Sequence, residues 1–337
     1  MDSILVLLHT EEDASLRKAS LEAIAVARSL GGAFSVGVVG GDADNALQQI
    51  AGCGALRVLT VEGEAFASWR YATDAAAAMA LCDAVKPEVI LAPATSRWSR
   101  CLGGVAHRLG GVADTHITGL RVEDGGIEAS RWFYRQRIEA KLQRSQRPWF
   151  LLLESGGAAA AFAGEGTLAQ VERLAVEVTS RTQIRGTVSP QVGEQTIRPE
   201  AELLFVAGAG WTKKQKDGAT HVAEAGELIL NFVRSTESSL GSSKSLVDLS
   251  GEGEAVLPFL SHLNQVGQTG STPRHAKGLA TCCHGEEPHV VGWRFIQERR
   301  AVNLDANCGW ARGKADVLYV ADAFQVVARM NQLLAKR

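Results

Sequence analysis

Along its first ninety residues the chain alternates short, continuous apolar runs with longer stretches whose apolar positions recur at helical spacing. Residues 4–8, 34–39, 56–61 and 89–92 read as buried strands, and residues 14–30, 46–50 and 72–85 as helices. Gly31-Gly32 stands where the first helix needs its C-cap. Strands spaced by helices of this length predict a largely parallel sheet covered on both faces.

The texture then changes. Residues 117–122, 127–134, 138–142 and 149–153 are β-rich, with Asp124-Gly125-Gly126 marking a hairpin turn. Residues 156–166 are small and alanine-rich, and residues 169–178 are apolar enough for a terminal strand. A polar stretch over residues 179–198 is punctuated by Gly186, Pro190 and Gly193. The expected organisation is α/β in two domains: residues 1–185 with a β-rich portion, a linker over 186–200, and a second α/β domain over 201–337. In the second domain a strand over 203–207 runs into Gly208-Ala209-Gly210-Trp211. Helices over 221–233 and 254–263 flank Gly241-Ser242-Ser243-Lys244, and a helix over 323–334 closes the chain.

Composition narrows the function classes. A 337-residue chain with 46% hydrophobic residues, 21% charged residues and a net charge of −2 has the makings of two buried cores. Its overall field gives no reason to expect nucleic acid or a membrane surface. The chain enters its first strand without a basic leader, and no apolar run approaches a membrane span, so a cytoplasmic location is expected, or an organelle matrix. The six cysteines show no C-x-x-C spacing and read as buried free thiols, with the adjacent Cys282-Cys283 the exception to watch.

The chemistry concentrates near the end. Val266-Gly267-Gln268-Thr269-Gly270 is a glycine-bracketed polar turn, in which two glycines free the backbone for close approach and Gln268 and Thr269 bring donors and acceptors. Cys283-His284-Gly285 is a second glycine turn, and the strand-like run Ala301-Val302-Asn303-Leu304-Asp305 ends in polar residues suited to hydroxyl groups. Turn, strand, glycine turn, helix, strand and polar tip is the order in which an open α/β sheet holds an extended nucleotide cofactor. Gly208-x-Gly210 after a strand is a weaker nucleotide signal, its alternative being a turn that only needs positive φ.

Other polar features read more plainly. His9 is expected on the surface or in a loop, and His107 and His116 as structural residues with only Asp114 nearby. Trp132, Tyr134 and Trp149, interleaved with Arg131, Arg135, Arg137, Lys141, Arg144 and Arg147, suit a subunit or partner interface better than nucleic acid. Glu298-Arg299-Arg300 reads as a solvated turn. The chain has no G-x-S-x-G, and its first βα turn lacks G-x-G-x-x-G, which leaves hydrolase and nicotinamide-dehydrogenase chemistry without support.

These residues also carry a family resemblance. Leu91-Ala92-Pro93-Ala94-Thr95-Ser96 and Gly111-Val112-Ala113-Asp114 lie in the first half. In the second, residues 266–270 are followed in register by Gly285, His289, Gly292 and Ala301-x-Asn303-x-Asp305, then, after one inserted residue, by Ala315-Asp316 and Ala321-Asp322-x-Phe324. Over nearly its whole length the chain resembles the α subunit of an electron-transfer flavoprotein. The resemblance implies an N-terminal α/β domain for subunit association and a C-terminal doubly wound FAD-binding domain. It also implies pairing with a β subunit that holds AMP, and electron transfer from a flavin dehydrogenase to a redox acceptor such as a quinone oxidoreductase. Such a chain is an electron carrier rather than an enzyme with its own substrate. By resemblance Gln268 and Thr269 would lie beside the flavin ring and His289 at its pyrimidine end, where a hydroxyl and an imidazole stabilise charge. Backbone around His284 and Gly285 would meet the diphosphate, and Asn303 and Asp316 would hold the adenosine end. Gly208, Gly210, Lys244, Val266, Gly267, Gly270 and Asp305 complete the expected cofactor-binding set.

The pattern breaks in three places. Ala209 stands where the family has an arginine over the flavin, a loss of roughly 1–3 kcal/mol toward a developing anion, with Lys213 or Lys214 as partial substitutes. Cys282, His284, Glu286 and Glu287 replace small residues in the diphosphate turn, where Arg274, His275, Lys277 and Arg294 are close enough in sequence to compensate. Lys244 replaces an arginine, keeping the charge and losing the fork. Two readings stay open: FAD held at a shifted potential, or a flavin-free docking and assembly subunit on the same fold.

Overall fold

β1 (Ile4–His9) lies at the heart of a nine-stranded sheet because every one of its six residues is apolar or buried on both faces. The structure is a computed structural model and describes residues 3–133, 138–155, 161–167, 169–186, 197–198, 201–248, 256–266, 275–281, 296–307 and 315–336. Two compact units divide it, Met1–Thr187 and Val188–Arg337.

In the first unit the chain runs β1, α1 (Lys18–Ser29), β2 (Phe34–Gly40), α2 (Asp44–Gln49), β3 (Val58–Glu62), α3 (Glu64–Ala67), α4 (Tyr71–Val85), β4 (Val89–Pro93) and α5 (Ser96–Arg108). It continues through β5 (Val112–Glu123), β6 (Gly126–Phe133), β7 (Ile138–Leu142), β8 (Trp149–Leu153) and β9 (Val171–Arg173). The strand order is β7-β6-β5-β8-β4-β1-β2-β3-β9, parallel except for the antiparallel pairings of β6. Alternate residues of β1 face opposite ways: Ile4, Val6 and Leu8 pack with α1 and α2, whereas Leu5 and Leu7 pack with α4 and α5. The α/β class and the two-faced sheet are therefore as the periodicity predicts. The hairpin turn holds too, Asp124 and Gly125 both having positive φ.

Several local expectations are corrected. His9 is not a surface residue: it ends β1 with 2% of its surface exposed. Its Nε2 lies 2.9 Å from Thr95 Oγ1, and its ring packs edge-on against Trp69 and Trp98. Burial, then the charge of Arg97, lowers its pKa from 6.5 to about 4. His116 does have an acid partner, Glu154 at 2.7 Å, because β5 and β8 are neighbours. The basic–aromatic set is spent internally in part. Asp114 accepts from Arg131 (3.0 Å), from Arg144 and from the indole of buried Trp149 (2.9 Å), which ties β5, β6 and β8 together. Helix α5 is not among the predicted elements, since Gly103-Gly104 lower its propensity, yet Trp98, Cys101, Leu102, Val105 and Ala106 form its buried stripe.

The second unit has β10 (Leu203–Ala207), α6 (Val222–Thr236), β11 (Ser239–Ser242), α7 (Lys244–Asp248), β12 (His275–Thr281), β13 (Ile296–Asn303), β14 (Val317–Val320) and α8 (Ala323–Leu334). Its five-stranded sheet is wholly parallel in the order β11-β10-β12-β13-β14. Helices α6 and α8 cover one face through Ala225, Ile229, Phe232, Ala323 and Val327. The helix expected over 254–263 is absent from its described part, residues 256–263. Pro258 removes a donor and clashes with a preceding turn, and Ser261 instead caps a short 3-10 turn, His262–Asn264. The supposed turn at Glu298-Arg299-Arg300 lies inside β13. No helix among the described residues is long and apolar enough to cross a membrane.

Candidate site at the carboxyl edge of the second sheet

In the order β11-β10-β12-β13-β14 the chain first adds a strand on one side of β10 and then crosses to the other. The crevice between the carboxyl ends of β10 and β12 is therefore a topological switch point, where open α/β sheets place ligands. β10 leaves through Gly208 into a 3-10 turn, Ala209–Trp211, and Gly208 N donates to Thr281 O, the last residue of β12, at 2.8 Å. Gly208 has φ −95°, and Gly210 is not among the positive-φ glycines, so left-handed geometry is not what these glycines supply.

The third wall comes from β11. Ser243 N donates to Ala207 O (2.9 Å), and Ser243 Oγ accepts from Leu246 N (3.3 Å) in the turn that carries Lys244. Ser242 forms a parallel bridge with Gln265, and Val266 N donates to Ser242 O at 3.1 Å. Gly241 permits this approach, since a Cβ there would sit 2.2 Å from Val266 Cγ2. The segment leading into residues 267–270 thus lies against the carboxyl end of β11. Asn264 Nδ2 fixes it further by donating to Leu240 O (3.1 Å).

Asn303 ends β13 with 2% of its surface exposed. Its Oδ1 accepts weakly from Asp305 N (3.4 Å), and Asp305 in turn accepts from Asn307 N (2.8 Å). The Asn303 Nδ2 donor is buried without a partner, as are Ser242 Oγ and Gln265 Oε1. An unmet buried polar atom costs about 1–3 kcal/mol, so three along one sheet edge fit a ligand rich in hydroxyl and carbonyl groups. A dinucleotide is such a ligand, and the residues present fit it.

Of the expected site residues, Gly208, Gly210, Lys244, Val266, Asn303 and Asp305 come together along this edge. Gly267, Gln268, Thr269, Gly270, His284, Gly285 and His289 lie outside the described residues. Asp316 is elsewhere. It precedes β14 level with Arg299, four register positions (about 13 Å) back from Asn303. Its carboxylate accepts from Arg299 N at 2.6 Å and from the Arg299 guanidinium at 3.2 Å. These bonds, the backbone one first, hold its pKa below the ordinary aspartate value. Two of the four suggested compensating cations are also misplaced, while Arg274 and Arg294 lie outside the described residues. His275 and Lys277 open β12 at its amino end, where His275 bonds Ser239 Oγ (2.9 Å) and Lys277 pairs with Glu202 (2.6 Å). Ser242 and Trp211 stand in motifs read from the sequence but outside the expected binding set, and Gln265 and Thr281 stand in neither. For the last of these, a hydroxyl closing an apolar strand beside a glycine turn was the available signal.

The comparisons with known proteins cover both units. The electron transfer flavoprotein domain matches residues 4–179, more than half of the chain and the span from β1 past β9. The electron transfer flavoprotein subunit alpha of Syntrophomonas wolfei subsp. wolfei (strain DSM 2245B / Goettingen) is 25% identical over 328 residues, covering 97% of this chain and 97% of its own length. Parallel sheet, switch-point crevice and matched first unit agree: the chain belongs to the electron transfer flavoprotein family, as a divergent member similar to its α subunits.

Proposed function

We propose that this chain is the FAD-binding α subunit of a heterodimeric electron transfer flavoprotein, taking electrons from a flavin dehydrogenase and passing them to a redox partner. The observation that supports it most directly is the unpaired, buried Asn303 Nδ2 at the carboxyl edge of the switch-point sheet, with Ser242 Oγ and Gln265 Oε1 also unmet. FAD, when bound, supplies the redox chemistry. The chain's own part is to bind and orient it: Asn303 donates to the nucleotide end, the turn at Gly208 and Gly210 brings backbone close, and Lys244 contributes charge beside β11. Gln268, Thr269 and His289 belong to the proposal through the family resemblance, as do Gly285 at the diphosphate and an AMP-carrying β subunit as partner.

The second reading, a flavin-free docking and assembly subunit, is favoured by two observations. Ala209 is small and buried where the family has a cation, and Asp316 is already engaged by Arg299. Co-expression with a β-type subunit, purification and extraction of bound nucleotide separate the two. The FAD reading expects a yellow heterodimer with about one FAD per α chain. A folded, colourless dimer that stays colourless with excess FAD would reject it.

A further inference from the structure

Three hydrogen bonds meet at Thr281, the final residue of β12. Its carbonyl accepts from Gly208 N (2.8 Å), its hydroxyl accepts from Trp211 Nε1 (2.8 Å), and the same hydroxyl donates to Val206 O (3.1 Å). Both Thr281 and Trp211 are fully buried. The Trp211 indole also lies 4.6 Å, centroid to centroid, from Phe324 in the first turn of α8. That turn is itself fixed by Asp322, whose Oδ1 accepts from Phe324 N at 2.9 Å.

One indole therefore joins the glycine turn after β10, the tip of β12 and the start of α8. The first two are the opposing walls of the switch-point crevice. The hydroxyl of Thr281 has both its donor and its acceptor capacity used, so its rotor is locked. With the hydroxyl locked, this contact joins the Gly208 N–Thr281 O bond and the β10–β12 ladder in holding the glycine turn against the tip of β12.

We infer that Trp211 and Thr281 are the positioning pair of the nucleotide crevice: the Nε1–H···Oγ1 bond holds the backbone of residues 208–210 against the carboxyl end of β12, in the orientation that receives a flavin nucleotide. This rests on the FAD reading above. Neither residue is a ligand itself; both act through the backbone they fix.

The test uses the full-length chain co-expressed with a β-type subunit, stripped of nucleotide and titrated with FAD. Visible circular dichroism of the bound flavin is recorded as a signature of its geometry. Trp211→Phe keeps the ring and removes the donor, Thr281→Val keeps the shape and removes the hydroxyl, and Thr281→Ser keeps the hydroxyl. The first two are expected to weaken FAD binding about tenfold, the equivalent of one buried hydrogen bond, and to change the flavin dichroism. Their combination should be no worse than Thr281→Val alone, because both remove the same bond. Thr281→Ser should retain wild-type affinity and dichroism. Trp211→Phe and Thr281→Val proteins that melt earlier but bind FAD with unchanged affinity and dichroism would overturn the positioning role while leaving the FAD reading intact. A wild-type protein that takes up no FAD would overturn both.

Discussion

Arg299 and Asp316 exchange hydrogen bonds from both backbone and side chain. Asp316 N donates to Arg299 O at 2.7 Å, while Arg299 N and its guanidinium donate back to the Asp316 carboxylate at 2.6 and 3.2 Å. Arg299 lies on β13 itself, four residues before Asn303, and Asp316 lies level with it just ahead of β14. An aspartate occupied in this way registers β14 against β13, whatever its resemblance to a ribose ligand. Asp316→Asn is therefore expected to leave FAD affinity within about twofold, since no ligand bond is lost. A tenfold loss measured by titration would return Asp316 to the binding set.

Asn303 should behave in the opposite way. Its Nδ2 is already unpaired and buried, so Asn303→Leu removes an unmet donor and keeps the volume. The cofactor-free protein should be as stable as wild type or more so, by about 1–2 kcal/mol, while FAD affinity falls about tenfold or more. Urea unfolding of the stripped protein and FAD titration of the same preparation give the two numbers. A stability loss with unchanged affinity would make Asn303 a structural residue.

Acid should destabilise the first unit in two stages. His9 is neutral in the folded state at any pH above about 4, but in the unfolded chain it takes a proton near 6.5. Stability is therefore lost as pH falls from about 6.5 to about 4, by roughly 3 kcal/mol, and not further below. Asp114 acts later. Burial pushes its carboxyl up, but the bonds from Arg144 and Trp149 and the charges of Arg144 and Arg131 outweigh that, leaving it below 3.8. Its contribution is whole above the ordinary aspartate value and disappears as pH drops through the lowered one. His9→Gln should flatten the first stage in urea unfolding across this range and leave the second. An unchanged slope in that variant would remove His9 from the explanation.

Removing the Asp114 carboxylate outright strands two guanidinium groups and an indole N–H. Asp114→Ala should cost about 3 kcal/mol or more, the usual outcome of breaking a buried charge cluster. Hydrogen exchange should show the loss concentrated in β6 and β7, whose ladders to the main sheet Arg131 and Arg144 reinforce through Asp114. Uniform loosening of the whole first unit would contradict this.

Burial pushes the thiols of Cys82 and Cys101 up to about 12, so neither presents a thiolate near neutral pH. Native protein treated with iodoacetamide should carry no label at either position by peptide mass spectrometry, and full label after unfolding. Rapid native labelling would mean that α4 or α5 opens readily.

How much of this was legible in the sequence depended on whether local signals and tertiary contacts agreed. In β1, β2, β4 and α4, apolar period and length match the environment, and the predicted bounds lie within a residue or two of the observed ones. Helix α1 begins four residues after its predicted start because Ala14, with φ 59°, belongs to a turn closed by Glu11 and Ser15 rather than to the helix. Residues 254–263 looked helical by apolar content, but Pro258 outweighed periodicity. For the candidate site, the motif around Asn303 could be read because a strand's polar tip is a local feature. The engagement of Asp316 by Arg299, the burial of His9 and the convergence on Thr281 could not, since each is made by residues from separate strands or across a crossover.

β5 changes partners midway. Val112, Ala113 and Asp114 run parallel to β8. The register then slips at His116, whose φ is 59°, and residues 119–123 continue antiparallel to β6. The ribbon β6–β7 is thus grafted onto the main sheet through one kinked strand, with β7 as its outermost rung. The rungs from β8 to β9 do not pair with that ribbon, so its hold on the parallel scaffold passes through β5 and through the carboxylate of Asp114, which Arg131, Arg144 and Trp149 share.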